Sequence, residues 1–262
     1  MGNGTREWSD FSYNICIGCS HGCLYCYAKS FRARFDEDVW IPGNWERQQL
    51  RPRAKLGADL KGQGVVMFPT THDLTPEFLP EATMTIRNLL NGGNQVLIVS
   101  KPHLSVVRHL CQEFGSQRSR ILFRFTIGAL DDDLLSFWEP GAPTAMERLA
   151  ALRHAFAAGF ATSVSVEPMV DAVGATVVLV NTVSPLVSDT IWIGKMQRVP
   201  IKLNAHVPGF TEARETIRLQ QTDSEILRLV QMLQCHTKVR WKDSIKAVME
   251  RAAANNNGNN YI

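Results

Sequence analysis

The feature that most constrains this chain is a regular alternation of short apolar, β-branched runs with amphipathic helical stretches. From Gly64 onward the runs are Val65 to Phe68, Gln95 to Val99, Ile121 to Ile127, Thr162 to Val166 and Thr190 to Ile193, rich in residues that suit a pleated, buried surface. An earlier run, Phe11 to Ile17, makes a sixth strand. Glycines close the helices between them: Leu79 to Leu90 before Gly92 and Gly93, His103 to Phe114 before Gly115, and Ala145 to Ala158 before Gly159. Strand, helix, strand repeated with right-handed crossovers implies a parallel sheet, either open and doubly wound or closed into a barrel. Neither a dinucleotide fingerprint nor a phosphate loop follows any of the runs. Six units in 262 residues suit an α/β fold, a partial (β/α)6 barrel, whose site lies at the carboxyl ends of the strands by analogy with the full barrel.

This reading places the barrel over 1–207, with an insertion at 29–61 near its mouth, and a helical carboxy-terminal extension over 208–262 packed on it. The insertion holds Trp40, Trp45, Arg47, Arg51, Arg53 and Lys55, interleaved with Asp36, Glu37, Asp38 and Glu46. It either grips an anionic substrate or forms a solvated excursion with its aromatics packed on the barrel. In the extension, Thr222 and Glu225 form a capping box ahead of Ile226, Leu227, Leu229, Val230 and Leu233. The low-complexity end, Asn255 to Asn260, is expected to fray.

A hydrophobic fraction of 45% supports a substantial core and excludes a disordered chain. The net charge of +3 neither demands nor forbids an anionic partner. No apolar run approaches the roughly 18 to 20 residues that span a bilayer, and Met1 to Asp10 is polar rather than a leader. A cytoplasmic protein with no membrane contact is the expectation.

Four of the six cysteines crowd between Cys16 and Cys26, while Cys111 and Cys235 stand alone in helix-like segments. Such crowding reads as metal ligation. Cys19, Cys23 and Cys26 are separated by three and then two residues, a spacing that lets one loop direct three thiolates at a compact inorganic core. Iron–sulfur clusters usually take four thiolates; a cluster held by three keeps one iron open to bind a ligand and pass it an electron. With Cys16 added, the four would also satisfy a closed zinc site, the mark of a noncatalytic zinc-stabilised nucleic-acid adaptor.

The three-cysteine spacing, with Tyr25 in the aromatic place before the last cysteine, resembles the motif of the radical S-adenosylmethionine (SAM) superfamily. Within it the chain is similar to the spore photoproduct lyase-like group and related phage-encoded proteins. The likeness runs through Glu7-Trp8-Ser9-Asp10, Tyr13-Asn14, Cys19 to Ala28, Ser100-Lys101, Glu139-Pro140-Gly141 with Glu147-Arg148-Leu149, and Glu167-Pro168. The resemblance implies a 4Fe-4S cluster on Cys19, Cys23 and Cys26, and reductive cleavage of SAM to a 5′-deoxyadenosyl radical that abstracts hydrogen from a substrate. It also implies a reducing partner such as flavodoxin or ferredoxin. DNA or a modified nucleobase within it is the expected substrate, altered by rearrangement or bond cleavage; a small metabolite or peptide is the alternative. One departure stands out: the lyase group carries a hydrogen-donating cysteine near the end of the second strand, where this chain reads Met67 to Asp73 without one.

The strand ends supply the polar groups a SAM site needs. Beside Tyr25, the expected cofactor-binding residues are Thr71 and Asp73 after the second strand, Ser100 and Lys101 after the third, Arg124 on the fourth and Glu167 after the fifth. Arg124 is read as a bidentate partner for the SAM carboxylate, with a buried Arg124–Glu167 ion pair as the rival. Lys195, Arg198 and Lys242 are candidates to hold phosphate, and Trp241 to stack on a base. A solvated basic face is the competing account. No residue is assigned to the chemical step itself.

Overall fold

The computed structural model describes residues 7–52, 54–62, 64–197 and 199–258; Arg53, Arg198, Asn259 and Asn260 lie outside the described residues. In chain order the elements are β1 (Phe11–Ser12), β2 (Cys16–Ile17), α1 (Tyr27–Arg32), β3 (Gln49–Leu50), β4 (Val65–Phe68), α2 (Leu79–Asn91), β5 (Gln95–Ser100), α3 (Leu104–Glu113) and β6 (Ile121–Thr126). They continue as α4 (Asp132–Trp138), α5 (Ala145–Ala157), β7 (Ala161–Val166), α6 (Val173–Val183), β8 (Ile191–Ile193), α7 (Ile201–Asn204), α8 (Phe210–Gln220), α9 (Asp223–Leu233), β9 (Val239–Trp241) and α10 (Asp243–Gly258).

Seven strands form one parallel sheet in the order β1-β4-β5-β6-β7-β8-β9. The face of its central strands turned to the helices is apolar: Phe123, Phe125, Val164, Val166, Ile191 and Ile193 are all fully buried, while Arg124, Thr126, Ser163 and Ser165 alternate with them on the opposite face. The edges curve towards each other. Trp8, just ahead of β1, packs on Trp192 of β8 with ring centroids 5.7 Å apart, and Glu7 reaches Lys242, one residue past β9, at 2.6 Å. The result is a partial barrel whose strands all end at one mouth.

The Phe11–Ile17 run is not one strand. Only Phe11–Ser12 joins the barrel sheet, whereas Cys16–Ile17 pairs antiparallel with β3. The break falls at Asn14, whose side-chain oxygen accepts from the backbone N–H groups of Thr70 and Thr71, each at 2.8 Å. The expected six strands become seven, because β9 lies in the segment read as a helical extension. Its three residues carry too little periodicity to announce a strand, yet they pair parallel with β8.

The expected helix ends hold for α2 and α5, where Gly92 caps one and Gly159, at φ +78°, follows the other. Thr222 caps α9 by accepting from the Glu225 N–H. Cys235 falls beyond α9 rather than within a helix, and α10 runs on through Asn255 to Gly258. Among the described residues no helix is long and apolar enough to cross a membrane.

Candidate functional site

The cysteine loop leaves β2 through Gly18, at φ +77°, where a Cβ would lie 2.5 Å from the Trp45 carbonyl oxygen. Only glycine fits there. The next N–H, of Cys19, donates to that carbonyl at 2.9 Å. The loop is then tied at both flanks: Leu24 N–H donates to the Trp138 carbonyl and Gly141 N–H to the His21 carbonyl. At Gly141 a side chain would collide with the Ser20 carbonyl oxygen, so the α4–α5 connection presses directly on the loop. Cys26 closes it as the N-cap of α1, its Sγ accepting from the Lys29 N–H at 3.4 Å.

Cys19, Cys23 and Cys26 line one cavity of about 650 Å³ at the barrel mouth, and none is in a disulfide. Cys16 does not line it; its side chain is fully buried in the main core. The four cysteines therefore do not form the closed set that a zinc site would need. Among the described residues no three His, Cys, Asp or Glu side chains converge closely enough to hold a single ion, while a cuboidal cluster takes thiolates spread around it. Burial pushes the Cys19 and Cys26 thiols up and Cys23 to about 12. Left to the protein they stay protonated, and a bound metal core is what would ionise them.

Asp73, buried at 7% exposure, is the hub beneath the loop. His21 Nδ1 lies 3.1 Å from Asp73 Oδ2. The same carboxylate accepts from the Ser100 hydroxyl, from Leu74 N–H at 2.9 Å, and from Lys101 N–H at 3.0 Å. Burial alone would raise its pKa, but His21, Lys101 and Ser100 override that and hold it well below the usual carboxylate range. Asp73 is thus engaged by Ser100, His21 and two backbone N–H groups, and the Ser100 hydroxyl proton by Asp73.

A second buried network fixes Tyr25. Its hydroxyl donates to Glu139, which pairs through its other oxygen with Arg148. Arg148 also donates to the Pro143 and Thr126 carbonyls at 2.8 and 3.3 Å. The Lys101 ammonium sits 5.6 Å from the centre of the Tyr25 ring. Burial opposes its charge, but the Glu139 and Asp73 carboxylates, and Cys23 once it is ionised, push its pKa up. Thr71 lines the cavity beside them, and so does His72.

The far wall comes from β7, β8 and β9. Glu167, Pro168, Lys195, Gln197 and Lys242 line it together with Trp8. Lys242 pairs with Glu7 and approaches Glu167 at 3.6 Å, and its ammonium lies 4.2 Å from the Trp8 ring centre. Burial raises the Glu167 pKa, and Lys242 counters this. Lys195 is half-engaged with Asp223 at 3.8 Å.

Two expectations change here. Arg124 does not line the cavity: its guanidinium donates to Ser163 Oγ at 2.9 Å, reaches Asp189 at 3.4 Å and stacks over Trp8 at 4.5 Å. Asp189 precedes β8, so Arg124 is held towards the amino ends of the strands, and neither the SAM carboxylate role nor the pair with Glu167 fits. Trp241 packs against the main core, and Lys242 is taken up by Glu7 and Glu167, so neither is placed for a base or a phosphate. Sequence reasoning also missed His21 and Gln48, the latter donating to the Asp73 carbonyl at 3.3 Å. His21 lies between two of the cysteines, and that position was the available signal.

A parallel partial barrel with three cysteines on a loop at its mouth is the radical SAM type of fold, and known structures share it. A mutant of spore photoproduct lyase with dinucleoside spore photoproduct aligns over 92% of this chain and 79% of its own, with a TM-score of 0.58 at 12% identity. A further spore photoproduct lyase variant, with bound AdoMet and dinucleoside spore photoproduct, aligns over 89% and 75% at a TM-score of 0.55 and 13% identity. Streptococcus suis SuiB bound to S-adenosylmethionine aligns over 88% of this chain and 49% of its own, at 0.54 and 11%. In sequence, the uncharacterized protein ORF301 of Acidianus two-tailed virus is 29% identical over 176 residues, 63% of this chain. The match spans 58% of that relative's length. No family model matches the chain.

Proposed function

We propose that the protein is a radical SAM enzyme acting on a modified pyrimidine in nucleic acid. The observation that carries the enzymatic reading is the convergence of Cys19, Cys23 and Cys26 on one mouth cavity from which Cys16 is withheld. A 4Fe-4S cluster held by these three, when bound, supplies the electron for SAM cleavage and so a carbon-centred radical. The protein's own groups divide the remaining work. Lys101, which has no carboxylate within ion-pair distance among the described residues, holds the SAM carboxylate in the place first given to Arg124. Asp73 acts through His21 and the Lys101 backbone, fixing the loop. Thr71 and the Tyr25 ring border the cofactor side, and Glu167 with Lys195 borders the substrate side.

The nucleic-acid substrate rests on the likeness to spore photoproduct lyase. The wall from Met67 to Asp73 carries no thiol, so any hydrogen returned to the product comes from another group. The electron comes from a small redox protein such as flavodoxin or ferredoxin. Anaerobic reconstitution with iron and sulfide tests the cluster: a brown protein supports it, and a colourless one with stoichiometric zinc overturns it. Dithionite and SAM then test the chemistry. Methionine and 5′-deoxyadenosine are expected slowly even without substrate; their absence from protein with an intact cluster refutes the radical mechanism.

A further inference from the structure

Four of the six exposed aromatic side chains among the described residues fall within fourteen positions: Tyr27, Phe31, Phe35 and Trp40, at 60, 60, 75 and 48% exposure. Other exposed large apolar groups are mostly scattered along the chain, as on any surface. Tyr27, Phe31 and Phe35 are spaced by four, so they project from one face of α1 and the turn that continues it, about 6 Å apart along the axis. The continuation is hydrogen-bonded: Ala33 N–H donates to the Lys29 carbonyl and Phe35 N–H to that of Arg32, both at 2.9 Å. Phe31 and Phe35 stand edge to face with centroids 5.5 Å apart. The stripe starts in the site, because Tyr27 also lines the mouth cavity.

Beside the stripe runs a groove of about 410 Å³ between α1 and α7, whose walls include Arg34, Trp40, Ile201 and Lys202. Arg34 and Lys202 are exposed and have no acidic partner within ion-pair distance among the described residues. Of the acids that follow in sequence, Asp36 is taken by Arg32 at 2.8 Å and accepts from the Asp38 N–H, while Glu37 and Asp38 are exposed on the 3-10 turn.

We propose that this aromatic stripe, with Arg34 and Lys202 alongside, is a landing surface for single-stranded nucleic acid that leads the target base into the cavity. The proposal rests on the nucleic-acid reading above and adds where the strand lies and that it is unpaired. Planar rings offer faces on which any base can stack, and cations spaced beside them meet the phosphates; this combination is the recurring design of sequence-tolerant single-strand grooves. Duplex DNA keeps its bases stacked inside and would leave the rings uncovered.

Fluorescence anisotropy of the full chain with a labelled single-stranded oligothymidylate, and with a duplex of equal length, tests this. The single strand is expected to bind more tightly than the duplex. Phe31→Ala/Phe35→Ala should weaken it about tenfold or more, and Arg34→Glu/Lys202→Glu should lower the slope of log affinity against log salt by about 1.4, near 0.7 per lost phosphate contact. All four positions are exposed, and circular dichroism with iron content verifies the variants' folding. If the wild type binds and both double variants bind equally well, the surface is wrong while the nucleic-acid reading stands. If the wild type binds no nucleic acid, both fall. Tighter duplex binding, or variants that lose only their reduction by flavodoxin, also overturns the proposal, the latter in favour of a protein-docking face.

Discussion

On the cysteine side of the cavity the Asp73 carboxylate is met by His21, Ser100 and two backbone N–H groups, whereas on the far side Glu167 approaches a single lysine that it shares with Glu7. The first wall is drawn from β2, β4 and β5 and their loops, with its charges satisfied in place. The second is assembled from the last three strands and the amino-terminal Glu7-Trp8, with looser pairing and more exposure. A preorganised carboxylate surrounded by donors resists rearrangement; partly exposed charges a few ångströms apart adjust at little cost. On the function proposed above, the difference suits a rigid cofactor side facing an adjustable substrate side.

The sharpest way to break this comparison is at the cysteines. Cys19→Ala, Cys23→Ala and Cys26→Ala should each abolish stable cluster binding, while Cys16→Ala retains it, as iron and sulfide quantification and electron paramagnetic resonance will show. Cluster loss in Cys16→Ala would move the ligand set onto the buried core. Next in size, Asp73→Ala should cost about 3–5 kcal/mol in urea unfolding, because it strands His21 and the buried donors around it. Glu167→Ala should cost about 1 kcal/mol. Equal losses at the two positions would erase the distinction between the walls.

His72 gives a pH test of the rigid wall. Its Nε2 accepts from the Ile15 N–H at 3.1 Å, and burial lowers its pKa from 6.5 to about 4. The unfolded chain therefore takes up the proton first, so stability present at neutral pH is lost as pH falls from 6.5 towards 4, about 3 kcal/mol in all. His72→Gln should flatten that part of the stability–pH curve in chemical denaturation; an unchanged slope would show that the histidine carries none of it. The smallest effect is expected at Lys195→Ala, within about 1 kcal/mol by thermal unfolding, since its partner Asp223 is half exposed at 3.8 Å.

The sequence by itself determined the elements whose signals are local. Glycine-closed helices, β-branched runs and the Cys19-Cys23-Cys26 spacing are each written within a few residues, so the parallel sheet and the cysteine loop were readable along the chain. Thr71, Asp73, Ser100 and Lys101 were also readable as strand-end residues, because a parallel sheet sends every such end to one mouth. What lay beyond reach was pairing across distance. Whether Arg124 turns to the mouth or the floor depends on Asp189, 65 residues away; whether Lys242 meets phosphate or protein depends on Glu7, 235 residues away. Likewise a three-residue strand such as β9 exists only because β8 offers it an edge. Local propensity is a property of neighbours in sequence, but the partner of a buried charge is chosen by which groups the closed barrel brings within a few ångströms, and only the tertiary structure decides that.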